Sequence, residues 1–179
     1  MPAEFAHRLA VSDDLAALCA VMALAIGELQ RPFLSEAQVE ASHAVMGLDS
    51  QLIADGTYFV IEAGAHIAGC GGWSRRATPF GGDHSAGRDD SLLDPARDAA
   101  RVRAMYTHPD FVRRGVGRRI LQLAEAAAAE EGFSRLELTA TLAGALLYRA
   151  YGFVDAEAFE VPADSGVAVP LIRMMKIIR

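Results

Sequence analysis

The sequence lacks several features that mark well-known classes of protein. No apolar run reaches the roughly eighteen residues that a membrane-spanning helix needs. Residues 1–5 show no basic segment followed by an apolar one, so a secretory leader is not expected. Cys19 and Cys70 are isolated thiols without the spacing of a metal or redox site. These absences predict a cytoplasmic protein that contacts no membrane and holds no metal.

Excess basic charge is also lacking. The chain has 17 lysines and arginines against 23 acidic residues, which gives a net charge of −6. Nonspecific binding to nucleic acid usually needs a basic surface, so a nucleic-acid partner is not expected. A length of 179 residues with 52% hydrophobic residues is enough for one packed core. The sequence therefore predicts a single domain over residues 1–179.

One stretch, residues 102–153, organises the rest of the chain. It predicts a strand at 102–107, a glycine turn, a helix at 120–131, a strand at 135–140 and a short helix at 145–151. A helix that begins directly after a glycine turn offers unpaired N–H donors and a partial positive charge. Gly115 and Gly117 lack Cβ atoms and would let a ligand approach those donors closely.

Four arginines surround this turn, namely Arg113, Arg114, Arg118 and Arg119. Backbone donors together with permanent positive charge favour a diphosphate or polyphosphate ligand. The turn is not a Walker A loop, because no Lys-Ser or Lys-Thr follows the glycines. A dinucleotide fingerprint is disfavoured, since Ile120 stands at the third glycine position and Glu137 lies inside its strand.

Two motifs in this stretch resemble those of the GNAT superfamily of acetyl-CoA-dependent N-acetyltransferases. Residues 112–117, Val-Arg-Arg-Gly-Val-Gly, resemble the family's Gln/Arg-x-x-Gly-x-Gly/Ala signature. Residues 141–153 resemble its second signature, with Tyr148 four residues before Gly152-Phe153. Val112 stands where the family has Gln or Arg, and Thr141 and Gly144 stand where it has Asn and Ala.

The resemblance implies acetyl-CoA as co-substrate, without a metal, and Tyr148 as the acid that meets the departing thiolate. It also implies that the fourth and fifth strands splay apart where the CoA arm inserts. A backbone N–H near Met105 or Tyr106 would meet the developing oxyanion. The implied CoA-binding residues are Met105, Tyr106, Thr107, Val112, Arg113, Arg114, Gly115, Val116, Gly117, Arg118, Arg119, Thr139, Thr141 and Tyr148.

The acceptor side is less well defined by the sequence. The resemblance places two early helices over it, so that Glu28, Gln30, Arg31 and Phe33 on their connection become candidate contacts. Trp73 at a strand end, Arg75 in the following loop and Arg103 on the central strand are further candidates. Clustered with Arg76 and Arg101, these arginines would favour an acceptor that carries a carboxylate besides its amine.

The general base is left open by the sequence. Many relatives carry a Glu on the central strand, but that position falls near Arg101, which cannot accept a proton. Water could pass the proton to Glu62, His66, His108 or an acid of the long loop. This loop, residues 74–100, is expected to shape the acceptor site and to be mobile, because few apolar residues between 81 and 91 could hold it.

The remaining segments complete a predicted order β-α-α-β-β-β-α-β-α-β-β. Strands are expected at 8–11, 57–62 and 66–73 and in two C-terminal runs, and a Ser35-to-Gln38 capping box opens the second helix. The glycines within residues 69–72 indicate a bulge or close approach by another element. The fold class is thus α/β (α+β), with a mixed, mostly antiparallel sheet and helices on both faces.

The predicted function is transfer of an acetyl group from acetyl-CoA to the amine of a small molecule or peptide, by direct attack in a ternary complex. The alternative is a non-catalytic acyl-CoA-binding or sensing domain, for which the missing Glu argues and Tyr148 argues against. The expected binding partner is a small-molecule amine, and the protein–protein contact compatible with the sequence is a homodimer.

Overall fold

Strands and helices follow one another in the predicted order, with one additional short helix, in the computed structural model, which describes residues 5–178. The elements are β1 Ala6–Leu9, α1 Leu15–Leu29, α2 Glu36–Val45, α3 Ser50–Ala54, β2 Tyr58–Ala63, β3 His66–Ser74, β4 Ala100–Thr107, α4 Val116–Glu130, β5 Arg135–Thr141, α5 Leu142–Ala150, β6 Val154–Pro162 and β7 Ala168–Ile177. The one-domain prediction and the leader prediction include residues 1–4, which lie outside the described range.

The strands form one seven-stranded sheet in the order β1-β2-β3-β4-β5-β7-β6. Every neighbouring pair runs antiparallel except β4 and β5, which are parallel. The predicted class, a mixed and mostly antiparallel sheet, is confirmed. No helix within residues 5–178 is long and apolar enough to cross a membrane.

Helices cover both faces of the sheet, because each face buries its own set of apolar side chains. On one face, α1 packs Leu18, Met22 and Ile26 against Tyr58 and Val60 of β2. On the other face, the buried side of α4 and the short helix α5 pack on strands β4, β5 and β7. The central strands are therefore buried on both sides, which holds their ends rigidly in place.

The helix starts follow local capping chemistry. The Ser35 hydroxyl accepts the Gln38 N–H at 3.2 Å, and the Gln38 side chain accepts the Ser35 N–H at 3.1 Å, as the capping box predicted. Helix α3 was not predicted. Its five residues are too few to show helical periodicity, and Asp49 caps it by accepting the Gln51 N–H.

Helix α4 packs unusually close to β3, and this close approach explains the glycines of that strand. A Cβ atom on Gly69 would lie 2.5 Å from the Val116 side chain, and one on Gly71 would lie 2.9 Å from Ile120. The predicted close approach of another element is confirmed. This contact fixes the first turn of α4 beside the centre of the sheet.

The long loop before β4, which the sequence predicts to be mobile, contacts its surroundings at several points. Arg76 pairs with Asp55 at 2.7 Å, and Arg88 pairs with Asp49 at 2.8 Å. Backbone hydrogen bonds join Ala77 to Ser91 and Thr78 to Asp89. The sequence argument counted apolar residues only, whereas polar and charged groups hold the loop.

Candidate active site

The gap in the sheet lies between β4 and β5. The two strands pair only through Ala100 with Leu136 and Arg101 with Glu137. An ion pair between Arg101 and Glu137 fastens this closed end. From Val102 onward the edge of β4 that faces β5 has no strand partner, so its backbone donors and acceptors line an opening. The strands therefore diverge as the family resemblance implied.

A bulge lies in the middle of β4, beside this opening. The pairing of β3 with β4 shifts register between Cys70 and Gly72, and Ala104 takes a positive φ of 50°. A non-glycine residue in this region of backbone space is strained and persists only where neighbours hold it. The Tyr58 hydroxyl does so by donating to the Ala104 carbonyl at 2.6 Å.

The turn before α4 forms a nest of unpaired donors. Arg113 and Gly115 both have positive φ, at 62° and 88°, and the helix begins at Val116. The backbone N–H groups of residues 113–118 donate to no acceptor in the described part of the chain. Such an arrangement binds phosphate oxygens. A Cβ on Gly117 would lie 2.6 Å from a methyl group of Leu147, so a larger residue fits there only if the Leu147 side chain moves.

The four arginines of the turn do not act alike. Arg113 and Arg118 line the cavity described below, and Arg118 also stacks on the Tyr151 ring at 5.6 Å. Arg114 instead stacks on Phe111 at 5.1 Å and on Phe5. Arg119 points towards the His7 ring. Only two of the four predicted arginines are therefore placed at the opening.

A single cavity of about 600 Å³ runs from this turn through the splayed strands to the helices α1 and α2. Its CoA-side lining includes Met105, Tyr106, Thr107, Val112, Arg113, Gly115, Val116, Gly117, Arg118, Thr139, Thr141 and Tyr148. Its far end is lined by residues of α1, of the α1–α2 connection, of the end of α2 and of the long loop, which are Ile26, Leu29, Gln30, Phe33, Met46, Pro79, Phe80 and Gly81. One space thus serves both sides of the gap.

Tyr148 reaches the cavity from α5. Its side chain lies against Phe153, with ring centroids 6.0 Å apart, and only 9% of the residue is exposed. Burial raises the pKa of the Tyr148 phenol well above its ordinary value, so the hydroxyl stays protonated at neutral pH. The hydroxyl has no hydrogen-bond partner within residues 5–178. It is therefore a neutral O–H donor available to a ligand.

The residues around the gap fit acetyl-CoA. The unpaired donors of 113–118 match a pyrophosphate, and the unpaired edge of β4 matches the amides of a pantetheine arm. The Thr141 hydroxyl accepts the Gly144 N–H at 3.0 Å, which caps α5 and leaves its own hydrogen to donate. The fit rests on backbone groups, so the departures at Val112 and Thr141 do not remove it.

The predicted acceptor residues separate into two groups. Phe33 and Arg103 line the cavity, whereas Trp73 and Arg75 do not. Trp73 is 2% exposed and packs edge-on against Phe133 in the core. Arg75 lies over the outer face of the Trp73 ring and pairs with Glu131 at 2.5 Å. The prediction that Trp73 and Arg75 contact the acceptor is therefore corrected. The sequence placed them near a strand end but did not show which face of the sheet their side chains occupy.

Arg103 is buried and is paired with an acid, Asp49, which it shares with Arg88. Its guanidinium donates to Asp49 at 2.8 Å and to the carbonyls of Thr78 and Gly81, both at 2.9 Å. Desolvation lowers the pKa of Arg103, although the group stays charged because its ordinary value is so high. Asp49 was missed by sequence reasoning. The signal that points to it is Arg103 itself, since a buried arginine in a central strand requires an acid.

Side-chain bases are missing from the described lining of the cavity, which contains no Asp, Glu or His. Glu62, one candidate base, pairs with Arg8 at 3.0 Å on the edge of the sheet. His66 is exposed, and the His108 ring accepts the Asp110 N–H. Within residues 5–178, no group of three or more potential metal ligands occurs. The cavity thus offers an acid but no base.

Known proteins give a consistent picture of this fold. Residues 54–155, that is 102 of the 179 residues, match the family model described as an acetyltransferase (GNAT) domain. Among curated proteins, no sequence matches the chain. Many solved structures do, although their identities below 25% speak for the fold alone.

Three of these structures illustrate the match. A GCN5-related N-acetyltransferase from Rhodopseudomonas palustris, also described as a class-II aminotransferase, has a TM-score of 0.73 at 21% identity, covering 99% of this chain and 98% of that one. The PaiA N-acetyltransferase from Thermoplasma acidophilum, in complex with coenzyme A, scores 0.65 at 14% identity, covering 97% and 99%. The putative acetyltransferase YncA from Salmonella typhimurium, with acetyl-CoA, scores 0.62 at 17% identity, covering 98% and 94%.

The family model covers the motifs on which the sequence argument relied. Its match spans the glycine turn, helix α4, strand β5 and helix α5, and these are the elements that form the gap. It therefore favours an enzyme over a binding domain without turnover. The chain belongs to the GNAT family of acetyltransferases, as the two motifs predicted.

Proposed function

We propose that this protein transfers the acetyl group of acetyl-CoA to the amine of a small molecule or peptide, by direct attack within a ternary complex. One observation carries the proposal: a single cavity contacts the phosphate-binding turn, the splayed strands, Tyr148 and the space under α1 and α2. Donor and acceptor can therefore occupy one space at the same time, as direct transfer requires.

The residues around the gap would hold the donor in an extended conformation. Backbone N–H groups of residues 113–118 would bind the pyrophosphate, with Arg113 and Arg118 adding charge. The free edge of β4 at Met105–Thr107, with Thr139 and Thr141 of β5, would take the polar groups of the pantetheine arm. When bound, acetyl-CoA supplies an acetyl group activated as a thioester.

Tyr148 would assist departure of the thiol. The amine nitrogen forms a bond to the acetyl carbon, the carbon–sulfur bond breaks, and the sulfur receives the proton of the Tyr148 hydroxyl. The excess proton of the amine leaves to solvent, from which the tyrosine is reprotonated. A buried neutral phenol without a protein partner is suited to this task, because its hydrogen bond is free to strengthen as charge develops on sulfur.

The proposal is tested by incubating the protein with acetyl-CoA and a panel of amines while the release of free thiol is measured. Thiol release that depends on one or more amines supports it. Calorimetry with CoA run in parallel gives the affinity of the nucleotide site. If the protein binds CoA but none of the amines causes thiol release, it is instead a non-catalytic acyl-CoA-binding domain. The absence of a base in the described lining favours this alternative.

A further inference from the structure

The first observation concerns the positive charges near the acceptor end. Each of the four arginines that could have formed a carboxylate site is paired with an acid of the protein. The pairs are Arg75 with Glu131, Arg76 with Asp55, Arg101 with Glu137, and Arg103 with Asp49. Of these arginines only Arg103 lines the cavity, and Asp49 supplies its countercharge. A substrate carboxylate therefore has no unpaired arginine waiting for it here.

The second observation concerns the walls of the acceptor end. Ile26 and Leu29 of α1, Phe33, Met46, Phe80 and Leu171 line it with apolar side chains. The charged and titratable residues that line this end are Arg103, Tyr106 and Tyr148. Asp49 pairs with Arg103 and also with Arg88, and neither Asp49 nor Arg88 belongs to the lining. An ammonium ion entering this space would lose its hydration and meet a guanidinium, with no acid in the lining to pair with it.

The third observation concerns Gln30, at the end of α1. This side chain lines the cavity although the residue is only 3% exposed. Its Oε1 atom is buried without any hydrogen-bond partner among the described residues, and its Nε2 donates only to the Met46 sulfur at 3.7 Å. Because Oε1 itself is enclosed, a ligand N–H reaches it only after the Gln30 side chain turns towards the cavity, and that hydrogen bond would then recover the about 1–3 kcal/mol that an unpaired buried acceptor costs.

From these observations we infer that the acceptor is an uncharged, apolar molecule without a carboxylate, whose nitrogen is neutral at physiological pH, as in an aromatic amine. One N–H of this acceptor donates to Gln30 Oε1, once that side chain has turned towards the cavity. The inference rests on the proposed acetyl transfer and adds the substrate class. It also explains the missing base: a neutral nitrogen already carries its lone pair and needs no group of the protein to remove a proton before attack.

Three acceptors of similar size test the substrate class: 4-ethylaniline, 2-phenylethylamine and phenylalanine. At pH 7 we expect kcat/KM to fall in that order, by at least tenfold at each step. An alkyl amine with a pKa near that of lysine, about 10, is neutral in roughly one molecule in a thousand at pH 7. For 2-phenylethylamine kcat/KM should therefore rise about tenfold per pH unit from pH 6 to 9, while that for 4-ethylaniline stays flat.

The role of Gln30 is tested by Gln30→Leu, with Gln122→Leu as the matched control because Gln122 is exposed on α4. Gln30→Leu should lower kcat/KM for 4-ethylaniline at least tenfold and leave the acetyl-CoA affinity unchanged. The melting temperature should not fall, since the variant removes an unpaired buried amide and no strong hydrogen bond. The control should match the wild type in every respect.

The outcomes separate the inference from the function on which it rests. Preference for phenylalanine, or for a peptide amine, by tenfold or more would overturn the substrate class and leave acetyl transfer standing. So would a pH profile with the same acidic limb for every amine, because that limb would belong to a base of the protein. If no amine causes thiol release, acetyl transfer itself is refuted. The binding of 4-ethylaniline, measured by calorimetry, then tests the inferred acceptor class. Equal affinity for the wild type and Gln30→Leu refutes the inference, and weaker binding by the variant supports it.

Discussion

Replacing Tyr148 by Phe removes one oxygen atom from the cavity, and the structure predicts that activity falls while stability stays almost unchanged. The hydroxyl has no protein partner within the described residues, so the variant loses no internal hydrogen bond. The ring contact with Phe153 and the packing of α5 are retained. We expect the free energy of unfolding to change by at most about 0.5 kcal/mol, which shifts the melting temperature of a chain of this size by only about 1–2 °C.

Activity should respond much more strongly. A lost general acid lowers kcat by roughly a hundred- to ten-thousand-fold, and the acetyl-CoA affinity should change little because the ring remains. Since burial raises the pKa of the phenol, Tyr148 stays protonated well beyond pH 9. The wild-type rate should therefore show no alkaline limb below about pH 10 that the Phe variant lacks.

Tyr58→Phe is the matched control for this experiment. Tyr58 is also a buried tyrosine whose pKa is raised by desolvation, but its hydroxyl donates to the Ala104 carbonyl at 2.6 Å. This change should cost about 1–3 kcal/mol of stability, because it leaves a buried carbonyl unpaired beside a strained residue. Single-turnover thiol release, with thermal unfolding of both variants, gives the comparison. If Tyr148→Phe keeps its single-turnover rate, or if it melts as far below the wild type as Tyr58→Phe does, Tyr148 is a packing residue.

The remaining predictions concern the donor site, the buried ion pair between Asp49 and Arg103, and the long loop. Gly117→Val should weaken CoA binding far more than Arg114→Ala, because a side chain at 117 stands among the donors of the turn and displaces Leu147 from its place in the cavity lining, while Arg114 stacks away from the cavity. Calorimetric affinities that rank the other way would refute the placement of the pyrophosphate. Asp49→Asn should cost about 3–5 kcal/mol of stability, measured by denaturant unfolding, since it leaves Arg103 buried without a countercharge, and a loss below 1 kcal/mol would contradict that pairing. Replacing residues 82–90 by a short Gly-Ser linker should change KM for the amine and not KM for acetyl-CoA. The reason is that Phe80 and Gly81, just before this segment, line only the acceptor end of the cavity. Equal changes in both KM values would show that the loop stabilises the fold and does not shape the acceptor site.

The elements that the sequence predicted well are those set by local chemistry. The capping box at Ser35, the turn at Gly115 and the alternation in β5 are each determined by residues within a few positions of one another. The family motifs added the splay of β4 from β5, which no local pattern indicates. Helix α3 was missed because five residues are too few to reveal a period.

The acceptor site was predicted less well because it depends on contacts between distant residues. Asp49 and Arg103 are 54 positions apart, and no spacing rule connects them. The sequence showed several arginines near one end of the sheet and suggested a carboxylate site, whereas folding gave each of them an acid. Trp73 shows the same limitation, since a strand end does not reveal whether a side chain faces the cavity or the core.

With acetyl-CoA bound as proposed, the two-residue pairing between β4 and β5 would link the lifetime of the protein to the supply of its donor. A sheet divided at its centre is less resistant to opening than a continuous one, and a molecule bound along the unpaired edge joins the two halves. Binding to the folded state alone adds about 2.7 kcal/mol at a hundred times the dissociation constant. At high acetyl-CoA the chain should then resist proteolysis, and when acetyl-CoA is depleted it should be degraded faster, so the abundance of the protein would follow the metabolic state of the cell without any dedicated regulator.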